Sequence, residues 1–134
     1  MLTKTCPCGS EKPYASCCAP YHRGEKPKDA LALMRSRFSA YALALVDYIV
    51  QTTAPNRRPK DLKQWKKEIL FFAQNTRFEK LEIIDFTAEE TKAFVTFKAT
   101  LSQNQQDVSF TEKSTFEKLG DQWFYVSGQI FPKP

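Results

Sequence analysis

The feature that most constrains this chain is a cluster of four cysteines close to its N-terminus. They are the only cysteines among 134 residues and follow the spacing C-x-C-x8-C-C, as Cys6, Cys8, Cys17 and Cys18. Four thiolates this close together are typical of a tetrahedral zinc site, which takes four cysteines or three cysteines and one histidine. Gly9, directly after the second cysteine, permits the tight turn that such a site needs. The cluster therefore predicts a small knuckle built around one structural Zn²⁺ ion.

Two alternatives to this ligand set arise from the same residues. A disulfide between the adjacent Cys17 and Cys18 would be strained, and disulfides are rare in reducing compartments. The only histidine, His22, lies four residues after Cys18 and could replace a cysteine as the fourth ligand. We favour the four cysteines, because an all-thiolate set closes the site without the histidine. Such a closed site leaves no position for water, so the predicted ion is structural and supplies folding free energy to its segment.

The N-terminal sequence and the composition predict a cytoplasmic protein that does not enter a membrane. Residues 1–6 contain no apolar h-region, so no signal peptide is expected. The longest apolar run, around residues 40–50, is interrupted by Asp47 and is too short to span a bilayer. A hydrophobic fraction of 42% is typical of a folded globular chain.

The positive charge of the chain leaves nucleic-acid binding open without requiring it. The net charge is +5, and a basic surface patch can attract RNA or an acidic partner. The basic residues concentrate at Arg57, Arg58, Lys60, Lys63, Lys66 and Lys67. A solvated helix face is the simpler interpretation of this run, and association with RNA or the ribosome is the alternative.

The cysteine segment resembles a known module. Residues 6–10 read Cys-Pro-Cys-Gly-Ser, and they are followed by Tyr14 and the pair Cys17-Cys18. This pattern resembles the SEC-C motif, which is named for the C-terminal zinc tail of the SecA translocation ATPase. The fourth ligand of that family is His or Cys, here Cys18, and Glu11 stands where a glycine is common. Because the motif of SecA contacts SecB and ribosomes, the resemblance implies a protein-interaction knuckle, which we assign to residues 1–26.

Residues 27–134 are predicted to form one α+β domain. Residues 19–28 contain two prolines and a glycine and are expected to be a loop. Helical spacing of apolar residues predicts a first helix from Ala30, a short second helix capped by Asp47, and a third helix from about Leu62. Alternating apolar residues then predict strands over 81–86, 93–101, 108–119 and 122–128. The fold class is therefore three N-terminal helices packed on a curved four-stranded antiparallel sheet.

This order of elements resembles the nuclear-transport-factor-2-like (NTF2-like) fold, a cone whose first helix packs into the concave sheet. The knuckle, followed by the segments 33–41, 110–116 and 123–128, is similar over nearly the whole chain to the YchJ-like bacterial family. That resemblance implies the fold and the zinc site. It implies no biochemical activity.

The last hairpin suggests which residues face the interior of the cone. With residues 120–121 as a two-residue turn, Leu119 pairs with Gln122, and Phe116 pairs with Tyr125. One face of the hairpin then carries Glu112, Ser114, Phe116, Trp123, Tyr125 and Ser127. We assign this face to the concave side, because the residues similar to the family lie on it.

A possible pocket in the cone follows from this assignment. On the first helix, Arg37 shares a stripe with Met34 and Tyr41. A partly buried guanidinium needs a carboxylate, so we predict an Arg37–Glu112 contact. This contact is either a structural pair or the polar anchor of a ligand pocket. The candidate pocket residues are Arg37, Tyr41, Glu112, Ser114, Phe116, Trp123 and Tyr125.

These observations predict a protein-interaction module that uses the zinc knuckle. We assign no catalytic residue, because zinc engages every cysteine and no phosphate-binding glycine loop is present. The first alternative is a small-molecule-binding or isomerase-like domain that uses the cone, where tyrosines and Glu112 are the only groups suited to acid–base chemistry. The second alternative is ribosome or RNA association through the basic third helix.

Overall fold

The computed structural model describes residues 4–131 as an N-terminal knuckle followed by four helices and a five-stranded antiparallel sheet. The helices are α1 (Ala19–His22), α2 (Ala30–Ala42), α3 (Val46–Gln51) and α4 (Leu62–Gln74). The strands are β1 (Arg77–Ala88), β2 (Lys92–Gln103), β3 (Gln106–Asp107), β4 (Phe110–Leu119) and β5 (Gln122–Phe131). Single 3-10 turns occupy Tyr14–Ser16 and Pro55–Arg57. Within residues 4–131, no helix is long and apolar enough to cross a membrane.

The sheet confirms the predicted α+β class and adds one strand to it. Its order is β1-β2-β4-β5, and the two-residue β3 pairs with β2 beside this path. The final hairpin has the predicted pairs Leu119–Gln122 and Phe116–Tyr125. A register shift between Thr115 and Phe116 then pairs Thr115 with Ser127. The placement of Ser127 on the inner face is therefore wrong, because the extra residue of the bulge moves it to the other face.

The helix boundaries differ from the prediction at two places. Residues 19–22, expected to be part of a loop, form α1, with Pro20 in the first turn, where a missing N–H costs nothing. Helix α2 begins as predicted, and the Asp29 carboxylate accepts a hydrogen bond from the Ala32 N–H at 2.8 Å. Asp47, expected to cap α3, lies inside its first turn, because the helix begins one residue earlier.

The core lies between α2 and one face of the sheet, which we call the inner face. In β2, every second residue is buried, from Ala93 through Val95, Phe97 and Ala99 to Leu101. These side chains pack with apolar residues of α2, such as Leu33 and Phe38, and with Leu81, Phe116 and Trp123 of the neighbouring strands. A second cluster joins α2 to α3 and α4 around Ile49 and Ile69. The helices therefore cover the inner face and leave space beside α2.

Candidate functional site

The four cysteine sulfurs meet at one point of the knuckle. All four Sγ atoms lie within 4.8 Å of one another. Cys17 Sγ is 3.6 Å from that of Cys8 and 4.0 Å from that of Cys18. These separations match a tetrahedral zinc ion, since four Zn–S bonds of about 2.3 Å place the sulfurs about 3.8 Å apart. All four cysteines are free of disulfides. The donor set therefore fits one four-coordinate metal ion.

The electrostatics of the cluster favour a bound cation. Cys6, Cys8 and Cys18 are buried, and Cys17 is half-buried. Burial raises the pKa of Cys6, whereas the hydrogen bond from Cys18 lowers the pKa of Cys8. The hydrogen bond to Cys8, together with burial, raises the pKa of Cys18. The thiols of Cys6 and Cys18 therefore keep their protons more readily than that of Cys8. A divalent cation would let all four cysteines ionise together.

His22 lies outside the cluster and joins the knuckle to α2. Its Nε2 is 2.8 Å from the Ser36 carbonyl oxygen, and its Nδ1 is 2.6 Å from the Tyr14 hydroxyl. A carbonyl oxygen only accepts, so Nε2 carries the proton, and Nδ1 of the neutral ring accepts from Tyr14. Burial lowers the pKa of His22, which favours this neutral ring. Both ring nitrogens therefore have hydrogen-bond partners within the chain. The fourth candidate ligand is the sulfur of Cys18, which lies in the cluster with the other three.

Two further contacts fix the knuckle to the domain, and the sequence prediction missed both. Arg35 of α2 donates from Nη1 to the Cys8 carbonyl oxygen at 2.9 Å. Gly9, at φ 83°, lies so close to β1 that a Cβ on it would be 3.1 Å from the Leu81 carbonyl oxygen. Only a glycine allows both this backbone angle and this close approach. The knuckle is therefore held on α2 and β1.

A cavity of about 380 Å³ opens between α2, α4 and the inner face of the sheet. Five of the seven predicted pocket residues line it: Arg37, Tyr41, Glu112, Ser114 and Tyr125. The other two, Phe116 and Trp123, are on the same face but pack in the core. Its walls also include six aromatic side chains that were not assigned to it from the sequence: Phe38, Trp65, Phe72, Phe78, Phe97 and Phe110.

Arg37 lines this cavity and is buried, with only 7% of its surface exposed. Its Nη1 donates to the Thr52 hydroxyl at 2.8 Å, to the Ile49 carbonyl at 3.1 Å and to the Thr53 hydroxyl at 3.2 Å. The chain that follows α3 pairs with β5, since the Tyr125 N–H donates to the Thr52 carbonyl oxygen at 2.8 Å. This pairing brings the three acceptors within reach of Arg37. The guanidinium carbon lies 4.4 Å from the centre of the Tyr125 ring.

The predicted direct contact between Arg37 and Glu112 is wrong. None of the ion pairs within 4.0 Å among residues 4–131 involves either side chain. Neutral oxygens at the end of α3 take the hydrogen bonds that were expected to go to the carboxylate. Burial lowers the pKa of Arg37, and the Glu112 carboxylate opposes this shift only weakly and at longer range.

Glu112 is held in a small polar niche on the hairpin. Its Oε2 accepts from the Ser114 hydroxyl at 2.6 Å and from the Tyr125 hydroxyl at 3.4 Å. Gly128 provides the space for it, because a Cβ at that position would collide with the Glu112 carboxylate. Burial, followed by the Glu112 charge, raises the pKa of Tyr125, so its hydroxyl stays protonated and donates. The Gly128 contribution depends on the bulge and was therefore not visible in the sequence pattern.

The basic segment around α4 is partly engaged in contacts within the chain. Arg58 donates to the Thr53 carbonyl oxygen at 3.0 Å, and Lys66 lies 3.2 Å from the Asp47 carboxylate. Lys63 and Lys67 are exposed on α4. Nucleic-acid binding by this segment stays a prediction.

The fold and the cysteine site together define a class of protein: an NTF2-like cone that carries a SEC-C-type knuckle. The model for the YchJ middle NTF2-like domain matches residues 29–128, and that for the SEC-C motif matches residues 3–20. The chain belongs to the YchJ-like family.

Relatives and solved structures agree with this assignment. A UPF0225 protein of Haemophilus influenzae strain PittGG is 37% identical over 96% of this chain and 80% of its own length. The solution structure of a SEC-C motif containing protein from Rhodopseudomonas palustris matches with a TM-score of 0.82 and 29% identity, covering 98% of this chain and 100% of that one. The crystal structure of another, from Psychrobacter arcticus, matches with a TM-score of 0.80 and 28% identity, covering 98% and 85% of the two chains.

Proposed function

We propose that the four cysteines hold one structural Zn²⁺ and that the knuckle which this ion stabilises is a protein-interaction module. The observation that carries the metal proposal is the spacing of the sulfurs. The Sγ atom of Cys17 lies 3.6 Å from that of Cys8 and 4.0 Å from that of Cys18. Thiolate sulfur is a preferred ligand of zinc, and four such ligands close the coordination shell. When bound, the ion would supply the folding free energy that the knuckle's small apolar cluster lacks.

The exposed side of the knuckle supports a role in protein contact. One side of the knuckle contacts α2 and β1 through Gly9, His22 and the hydrogen bond from Arg35. On the other side, Lys12, Pro13 and the turn around Ser16 are exposed. A groove of about 420 Å³ lies beside Cys17, between the knuckle and the start of α2. Three basic side chains, Lys12, Lys28 and Arg35, line this groove together with one acidic side chain, Asp29, so basic groups are in excess. A protein segment with acidic side chains would complement these charges.

The metal proposal is tested by the zinc content of the purified chain in reducing buffer. We expect about one zinc per chain, with Cys17→Ser lowering the affinity strongly because it opens the coordination shell. Mass spectrometry under native conditions identifies the ion directly. A zinc content well below one per chain, or another metal in its place, contradicts the proposal.

The interaction proposal is tested by affinity capture from the organism's own cells with the zinc-loaded full chain. A Lys12→Glu/Lys28→Glu variant inverts two charges of the groove, and Lys67→Glu on α4 makes a matched change outside it. We expect proteins recovered with the wild type and with Lys67→Glu to be lost with the groove variant and with Cys17→Ser. If every recovered protein persists with all variants, the knuckle is not the contact site.

A second candidate function is small-molecule binding in the cone, and the cavity beside Tyr41 and Tyr125 favours it specifically. Its volume of about 380 Å³ lies within the range of small-molecule sites. Apolar and aromatic walls surround a few polar groups, as such sites require. Trp65 lines the cavity and Trp123 does not, so ligand-induced changes in fluorescence that disappear in Trp65→Phe but persist in Trp123→Phe test this function. If no small molecule produces such a change, this candidate fails.

A further inference from the structure

We propose that the cone cavity binds a small molecule that carries a carboxylate on an apolar body, and that Arg37 is the anchor for the carboxylate. The inference rests on the second candidate function, because it assigns a ligand class to the same cavity. It follows from three observations: an unpaired buried cation, two donors of that cation without a protein partner, and walls in which half of the residues are aromatic.

The first observation is a buried charge without a counter-ion. Arg37 is 7% exposed, and within residues 4–131 no carboxylate lies within 4.0 Å of its guanidinium. Buried charges in proteins are normally paired, because removing an ion from water costs several kcal/mol. Three neutral oxygens around Nη1 and the Tyr125 ring compensate for part of this cost. A ligand anion would compensate for the rest.

The second observation is that two donor groups of Arg37 have no partner in the described part of the chain. All its hydrogen bonds use Nη1, so Nε and Nη2 donate to no atom of residues 4–131. No fully sealed side-chain nitrogen or oxygen of these residues lacks a partner, so both nitrogens reach open space. Arg37 is one of the residues that line the cavity, and the proposal therefore places both nitrogens on the cavity surface.

The geometry of these donors selects a carboxylate. Nε and Nη2 form one edge of a planar guanidinium, and this edge matches the two oxygens of a carboxylate in a bidentate pair. The Tyr125 ring lies against the guanidinium at 4.4 Å and holds its plane. A phosphate dianion would need more donors and more positive charge. The cavity does not supply them, because the other charged residues that line it, Glu112 and Glu68, are both acidic.

The third observation defines the body of the ligand. Aromatic side chains make up half of the residues that line the cavity. Several of them fix one another, since the Tyr41 and Phe72 rings, and the Phe72 and Phe78 rings, are each 5.8 Å apart and nearly perpendicular. Such rigid walls bury apolar groups without a large entropic cost. A flexible or aromatic hydrocarbon body fits them better than a polar one.

Glu112 and Glu68 limit the affinity for an anion. Glu112 faces the cavity from β4 and keeps one oxygen bonded to Ser114, whereas Glu68 approaches from the exposed side of α4. Each adds a negative charge near the ligand carboxylate. Replacing Glu112 by a neutral residue of the same shape should therefore strengthen the binding of an acid, which is the opposite of what a cation site would show.

The experiment compares three probes that share one body and differ in charge: 4-phenylbutyrate, 4-phenylbutanol and 4-phenylbutylamine. Their dissociation constants are measured by calorimetry with the zinc-loaded full chain. We expect 4-phenylbutyrate to bind at least about tenfold more tightly than the alcohol, since only the acid can form a charge-assisted bidentate pair with the guanidinium. The amine should bind most weakly.

Variants assign the effect to the proposed residues. Arg37→Gln should abolish the advantage of the acid over the alcohol. Because Arg37 also holds the end of α3, that variant can fail to fold, so Glu112→Gln provides the second test. It should tighten binding of 4-phenylbutyrate about threefold or more by removing a like charge. Glu117→Gln makes the same change on the other face of β4 and should leave the affinity unchanged.

The outcomes separate the inference from the function on which it rests. If the amine binds most tightly, if the acid and the alcohol bind equally, or if Glu112→Gln weakens binding of the acid, the carboxylate anchor is wrong while the cavity remains a binding site. If none of the three probes binds at millimolar concentration, both the inference and the second candidate function fail.

Discussion

The knuckle and the cone both contact helix α2, but they bury different kinds of side chain. The buried part of the knuckle consists of Cys6, Cys8 and Cys18, with Tyr14 and Cys17 beside them. The cone buries aliphatic and aromatic side chains from α2 and from strands β1, β2, β4 and β5. Thiols held together in a buried cluster do not replace a hydrophobic core, because their thiolate forms repel one another. Under the metal proposal, ligation stabilises the knuckle, whereas apolar burial stabilises the cone.

The largest effect that this difference predicts is on metal removal. A chelator should remove the ion and unfold the knuckle, because a structural zinc site contributes about 10–16 kcal/mol of apparent binding free energy. The cone should stay folded. Hydrogen exchange measured by NMR should show lost protection over residues 5–18 and retained protection in β2 and β4, and added Zn²⁺ should reverse the loss. Cooperative unfolding of the whole chain would contradict the comparison.

The second prediction concerns the core of the cone. Phe116 is fully buried, so Phe116→Ala should lower the free energy of unfolding by about 3–5 kcal/mol. The zinc content should stay unchanged, because no cysteine contacts this side chain in the core cluster. Phe71, which is 70% exposed, provides the control, and Phe71→Ala should change the stability by less than about 0.5 kcal/mol. Chemical denaturation combined with metal analysis measures both quantities.

The third prediction tests the niche around Glu112. Gly128→Ala places a Cβ where the Glu112 carboxylate lies, so it should lower the stability by about 1–3 kcal/mol. Ser127→Ala, on the exposed neighbouring residue, should have little effect. In a Glu112→Ala background, Gly128→Ala should cost little further stability, since the colliding group is then absent. Independent, additive effects of the two substitutions would show that the collision is not the cause.

The smallest expected effect is a pH dependence of the stability that comes from His22, which joins the knuckle to α2. Burial lowers the pKa of His22, so the unfolded chain takes up a proton near pH 6.5 before the folded chain does. The stabilisation that the neutral His22 gives to the folded chain is therefore complete above about pH 6.5. It is lost as the pH falls below that value.

The corresponding measurement compares the wild type with His22→Gln. Their difference in the free energy of unfolding should narrow between about pH 7.5 and about pH 5.5. Acid also weakens metal binding by protonating the thiolates, but this effect is common to both proteins and cancels in the difference. A difference that stays constant over this range would show that the histidine does not titrate with folding.

Much of this architecture was accessible from sequence because its signals are local. The cysteine spacing lies within thirteen positions, from 6 to 18, and the alternation in β2 reads directly as buried and exposed sides. The Gly-Asp turn of the last hairpin fixed the pairing of its first residues correctly. Each of these features depends on neighbours in the chain, so the residue pattern alone specifies it.

The features that were missed depend on contacts between distant segments. The bulge at Thr115 and Phe116 reverses the faces of the following residues of β5, yet both faces of that strand contain apolar side chains, so alternation did not reveal it. The partners of Arg37 lie at the end of α3, which only the pairing of residues 52–54 with Tyr125 brings into reach. The role of Gly9 likewise depends on its approach to Leu81. None of these proximities follows from residue spacing.

Three successive residues of α2 serve the two regions. Arg35 donates to the knuckle at Cys8, the Ser36 carbonyl oxygen accepts from His22, and Arg37 lines the cavity. Successive helix positions point about 100° apart, so one turn of this helix is a shared wall with the cysteine cluster on one side and a cavity on the other. A rotation of α2 about its own axis would withdraw Arg35 from the knuckle and Arg37 from the cavity in the same movement. The helix thus links mechanically two regions that bury different kinds of side chain.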